Sequence, residues 1–133
     1  MLDALLSDMI GDELLRNPSF IQTPIEDYCR KLANRASIII HFDSQKPLGM
    51  IAYYCNDLKT GSIYISSIIV DPEARRGGVG QRLVRAAIDH GKSLGFQRCE
   101  LEVSAANTQA IRFYQKLGFG RSDNQMGLMQ CPI

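Results

Sequence analysis

The chain has 133 residues, enough for one domain with its own core and too few for two. Fifteen basic residues against fourteen acidic ones leave a net charge of +1, which excludes the broad cationic surface of a general nucleic-acid or anionic-membrane binder. No apolar run approaches the length needed to cross a bilayer, and no basic segment followed by an apolar stretch opens the chain, so a cytoplasmic protein is expected.

Leu2, Leu5, Leu6, Met9, Ile10, Leu14 and Leu15 recur at helical spacing, predicting a first helix to about Arg16 that Asn17-Pro18 ends. Thr23-Pro24 predicts a capped second helix running to about Ala36. The period then changes. Ser37–Phe42, Leu48–Cys55 and Ser62–Val70 read as three strands, joined by polar turns short enough for an antiparallel meander. Asp71-Pro72 breaks the third strand.

A helix over 78–93 follows, with Val79, Leu83, Ala87 and Gly91 on one stripe and Gly95 as its terminal glycine. A strand over 96–103 comes next, then a helix from the N-cap Asn107 to Gly118, a turn, and an edge strand over 127–132. Strand, helix 78–93 and strand make one parallel, right-handed βαβ crossover. The expected fold class is therefore α/β (α+β): a mixed sheet with helices on both faces, in a single domain over 1–133.

Cys29, Cys55, Cys99 and Cys131 are scattered and the histidines do not cluster, so no metal site is expected. Cys55 and Cys99 read as small buried hydrophobes of a reducing compartment. His41 and His90 read as surface residues with no link to a cysteine, which argues against a covalent intermediate.

The most informative segment is Ile68-Ile69-Val70-Asp71-Pro72-Glu73-Ala74-Arg75-Arg76-Gly77-Gly78-Val79-Gly80. It sets a strand, a basic glycine-rich turn and a helix start in sequence. Unpaired amides and the dipole at a helix start favour a phosphate, and arginines add charge-assisted donors. The turn lacks Gly-Lys-Ser/Thr and the G-x-G-x-x-G spacing, so neither a nucleotide-triphosphate loop nor a dinucleotide fold fits. On the residues alone, a phosphate cradle and a purely structural turn stay level.

Two blocks resemble the GNAT superfamily of N-acetyltransferases. Val70-Asp71-Pro72 followed by Arg75, Gly78 and Gly80 is similar to its Val-x-Pro and Arg/Gln-x-x-Gly-x-Gly/Ala pattern. Asn107, Ala110, Tyr114, Gly118 and Phe119 match its second block, and the likeness is good over 36–120 and weak over 1–35. Members usually begin with a strand before the first two helices; here Met1 leads directly into helix, so that strand is expected to be missing.

The resemblance implies acetyl-coenzyme A as co-substrate and a primary amine as acceptor, on a small molecule, a protein N-terminus or a lysine. It assigns the pyrophosphate to Arg75, Arg76, Gly77, Gly78, Val79, Gly80 and Gln81. The pantetheine arm falls along Ile68, Ile69 and Val70, with a backbone amide near Ile69 or Val70 facing the thioester carbonyl and Asn107 as a side-chain partner or helix cap. Tyr114 is then the general acid, and direct transfer in a ternary complex is the mechanism.

An alkyl amine has a pKa near 10.4, so only about one molecule in a few thousand is neutral at pH 7 and a base is needed. Alternation puts Phe96, Arg98, Glu100 and Glu102 on one face, and Glu102 sits at the strand end where a ligand crevice forms. Relatives that acetylate protein N-termini similarly carry a glutamate twelve residues before the tyrosine, making Glu102 the expected base and Glu100 the fallback. Helices 2–16 and 24–36, with the segment Ser19–Pro24, are expected to shape the acceptor site, and Tyr53, Tyr54 and Tyr64 either line it or pack. A non-catalytic acyl-coenzyme A sensor is the competing function, and an exposed sheet edge allows a homodimer.

Overall fold

A computed structural model of the chain describes residues 2–18, 20–21, 23–123 and 125–133. Met1, and Ser19 and Gln22 of the expected acceptor segment, lie outside the described residues. In chain order come α1 (Leu2–Arg16), α2 (Ile25–Arg35), β1 (Ser37–Asp43), β2 (Lys46–Tyr54), β3 (Ser62–Val70), α3 (Val79–Ser93), β4 (Arg98–Glu102), α4 (Thr108–Lys116), β5 (Gly120–Arg121) and β6 (Leu128–Pro132). They form one open six-stranded sheet ordered β1-β2-β3-β4-β6-β5.

The single parallel pair, β3 with β4, is the crossover the sequence predicts. It is short. Register runs only from Ser62↔Arg98 to Ile65↔Leu101, so the last five residues of β3 have β2 on one side and no strand on the other.

Several boundaries differ from expectation. Pro24, not Thr23, holds the N-cap of α2, without a side-chain hydrogen bond. The glycine-rich turn is a 3₁₀ helix over Pro72–Gly77, opened by Asp71 accepting from the Glu73 amide. β4 begins at Arg98, after Phe96 has already buried its ring in the approach to the strand. The strand expected at the edge, β6, lies inside the sheet between β4 and β5. Two residues, Gly120–Arg121, are too few to carry an alternation, which is why β5 left no period in the sequence.

A bulge in β3 decides which layer each residue joins. Ala52 pairs with Ser67 and Tyr53 with Ile65, leaving Ser66 as the extra residue. Before the bulge, Ile63 and Ile65 pack into the core beneath α3 and α4; after it, Ile68 and Val70 turn to that layer and Ile69 to the layer of α1 and α2. The α3–α4 layer is the larger, joining Leu83, Val84 and Ala87 to Ile51, Ile63 and Leu101. Each fully buried leucine or isoleucine here contributes about 1.5–3 kcal/mol. Gly91 lets α3 settle onto β3: a Cβ there would stand 2.7 Å from Ile63 Cγ2. The α1–α2 layer buries Leu6, Met9, Ile10 and Leu32 against Met50, Ala52 and Ile69.

Candidate active site

β3 delivers its C-terminal half to the start of α3. The Asp71 amide donates to the Leu48 carbonyl at 2.8 Å, which fixes the alternation of backbone directions back along the strand. Ile69 therefore turns its amide and carbonyl toward β2. Ile68 and Val70 turn theirs the other way, past the end of the β4 pairing.

At the turn itself Gly78 takes φ +77°, a conformation costly to any residue with a Cβ, and becomes the N-cap of α3 with no side chain capping the helix. The first helical bond recorded there runs from the Arg82 amide to the Gly78 carbonyl at 3.1 Å. The amides from Gly78 to Gln81 thus precede the helical ladder and point out of its positive end.

A cleft of about 480 Å³ joins these features, lined by Ile68, Val70, Arg75, Arg76, Gly78, Gly80, Gln81, Asn107 and Tyr114 among the residues the sequence singles out. Gln109, Ala110 and Phe113 complete the wall from α4. Asn107 accepts from the Ala110 amide at 3.1 Å, so it caps α4 while lining the cleft. Tyr114 is 6% exposed, its ring set edge-on against Phe113 and Phe119 at centroid distances of 5.0 and 5.5 Å. Burial, with a smaller contribution from Cys99, raises its hydroxyl above the ordinary tyrosine range, because the apolar surroundings disfavour the phenolate.

Other expected residues stand outside. Val79 is buried in the core, Gly77 does not line the cleft, and the Ile69 side chain joins the α1–α2 layer. Glu102 lies one residue past the last β3–β4 pair and is exposed; burial of the Tyr64 ring raises that tyrosine's pKa, with nearby Glu102 a smaller cause. Glu100, the fallback base, accepts from Ser62 Oγ at 3.1 Å and faces Arg98 at 3.7 Å. Tyr53 is core, its hydroxyl bonded at 2.6 Å to Nδ1 of His90, which is exposed on α3 as expected.

Besides Gln109, Ala110 and Phe113 on α4, Glu13 also went unassigned from the sequence. Glu13, in the last turn of α1, is 8% exposed and lines the cleft between Val70 and Arg75. Its carboxylate accepts from Arg16 Nη2 at 3.3 Å and lies 3.9 Å from Arg75 Nη2, while Arg75 Nε donates to the Val70 carbonyl at 3.3 Å. The available signal was an acid at the negative end of a helix, where the dipole disfavours it.

Among the described residues no group of three or more His, Cys, Asp or Glu side chains could hold a metal, and no helix is long and apolar enough to cross a membrane.

Residues 5–119 match the acetyltransferase (GNAT) family. An uncharacterised N-acetyltransferase of Methanocaldococcus jannaschii is 36% identical over 89 residues, covering 64% of this chain and 39% of that protein. The chain thus spans well under half the length of the curated relatives it matches first. The ribosomal-protein-alanine N-acetyltransferase of Brucella melitensis superposes with a TM-score of 0.76 at 18% identity, covering 98% of this chain and 94% of that one. The PaiA N-acetyltransferase of Thermoplasma acidophilum, solved with coenzyme A, gives 0.70 at 18% identity, covering 99% and 91%. At such identities the likeness speaks for the fold.

Proposed function

The chain belongs to the acetyltransferase (GNAT) family, and from that premise we propose that it transfers the acetyl group of acetyl-coenzyme A to a primary amine by direct attack in a ternary complex. One observation carries the reading: an uncapped helix start, a half-strand with one free edge and a buried tyrosine open into the same cleft.

Each part has a physical task. The amides of Gly78 to Gln81, with Arg75 and Arg76, receive the diphosphate as fixed donors at the positive end of α3. The outward backbone of Ile68 and Val70 receives the pantetheine amides as an added strand would. The parity of β3 favours Val70 or Ile68 over Ile69 as the amide aimed at the thioester oxygen, where a fixed donor stabilises developing negative charge. The amine nitrogen attacks the carbonyl carbon, the new C–N bond forms and the C–S bond breaks. Tyr114, protonated at neutral pH as an ordinary tyrosine is and bordering the cleft, donates its proton to the leaving thiolate. Glu102, directly or through water, takes the proton the amine loses; its exposure on the α1–α2 side of β4 leaves it open to an acceptor from that face.

The acceptor class follows the relatives. One fold neighbour is named for a ribosomal protein's alanine, which puts an N-terminal amine beside a small-molecule amine as an acceptor to test. Cytoplasmic acetyl-coenzyme A is the donor pool for such a reaction. The test is calorimetric titration with coenzyme A, followed by an acetyl-transfer screen over alkyl amines and peptide N-termini. Binding with turnover is expected. Binding without turnover on any amine supports a sensing module instead, and no binding removes the reading.

A further inference from the structure

Among the described residues Glu13 is the only buried one that carries a formal charge, and it stands in the last turn of α1, where the helix dipole disfavours an acid. Burial and position both cost stability, so packing alone does not explain a carboxylate there. Its neighbours do. One oxygen takes Arg16 from the same helix, and the other faces Arg75, which also reaches the Val70 carbonyl at the end of β3. Arg75 is the first arginine of the turn that enters α3, and Glu13, Val70 and Arg75 border the same cleft.

We propose that Glu13 is a positioning residue: its carboxylate holds the Arg75 guanidinium at the β3 end of the cleft and so ties α1 to the occupancy of the coenzyme A site. The proposal rests on the acetyl-coenzyme A reading above. Without Glu13, Arg75 keeps one anchor, the Val70 carbonyl, and its long side chain samples more rotamers before a diphosphate can be met. Because Glu13 sits on α1, an anion that draws on Arg75 also acts on the C-terminal turn of the helix facing the acceptor side. Arg16 and Arg75 are the charged groups that face this carboxylate, one from its own helix and one from the turn before α3.

The experiment uses the full chain and coenzyme A itself. Glu13→Gln keeps the shape and removes the charge; thermal melting checks that the variant is folded. Its coenzyme A affinity is expected to fall about three- to tenfold, in the range of one partly exposed ion pair, with Glu13→Asp recovering part of the loss. Arg75→Gln weakens binding as well, and Glu13→Gln adds nothing further in that background, since the carboxylate acts through the arginine. Hydrogen exchange gives a second readout: coenzyme A slows exchange in the last turn of α1 in the parent and not in Glu13→Gln, while the start of α3 is protected in both. Additive losses in the double variant, or equal affinity and equal α1 protection in Glu13→Gln, would overturn the proposal. Failure of the parent to bind coenzyme A would instead remove the functional reading on which it stands.

Discussion

The two faces of the sheet are built to different tolerances. Beneath α3 and α4 the backbones meet closely, with Gly91 against Ile63 and Gly80 against the Phe113 ring. Beneath α1 and α2 the layer is smaller, and Gly11 has room: a Cβ there would meet only Ile25 Cδ1, at 3.7 Å. The close side carries the cleft that a shared cofactor would occupy. On the reading proposed above, the looser side would face the acceptor. A fixed ligand constrains geometry, and a variable one leaves it free to drift.

Predictions test that contrast, beginning with the largest effect. Tyr114→Phe is expected to lower turnover roughly ten- to ten-thousand-fold, the contribution of a general acid, with coenzyme A affinity unchanged by calorimetry. Turnover at the parent rate would remove Tyr114 from the chemistry.

Gly78→Val forces a β-branched residue to φ +77°, which costs about 1–3 kcal/mol, and turns the amides at the start of α3 away from their common direction. Coenzyme A affinity should drop by roughly tenfold or more, that being the scale of such a strain. A folded variant with parent affinity would break the link between this turn and the diphosphate.

The same substitution at two glycines should change sign between the faces. Gly91→Ala sets a methyl into Ile63 and is expected to destabilise by about 1–3 kcal/mol, less a helix-propensity gain of about 1 kcal/mol. Gly11→Ala meets only an ordinary contact and should stabilise by about 0.5–1 kcal/mol. Urea midpoints at unchanged slope decide both. Equal signs would erase the contrast.

Alkaline pH gives the smallest test. Burial pushes the Cys99 thiol from an ordinary 9.0 to about 12, with Cys131 and Glu100 adding to the shift. Below the unfolded value both states hold the proton and stability does not depend on it. Between that value and the folded one the unfolded chain loses a proton the native state keeps, so stability falls as pH rises. Cys99→Ala should flatten part of this decline in urea midpoints followed upward from about pH 8.

Much of the site was legible because it is written in local geometry. Gly78 at positive φ and the uncapped start of α3 follow from a strand, a basic glycine turn and a helix in immediate succession. Asn107 caps the helix that carries Tyr114, so their spacing alone sets them about two turns apart on one side of it. Glu13 was illegible, since its meaning depends on an arginine sixty-two residues away in the chain. The choice between Ile69 and Val70 was equally closed to pattern reading. Burial alternates along β3 without a break, while the bulge at Ser66 silently exchanges the layers that its residues join.

The sequence by itself determined the order of the elements other than β5, the mixed sheet with one crossover and the identity of the basic turn, because hydrophobic period, glycine and proline act over a few residues. Only the tertiary structure decided where β3 and β4 part, which amides face the gap, that β6 runs inside the sheet, and that a buried acid from α1 meets the turn before α3. Those are outcomes of long-range pairing, which no local propensity encodes.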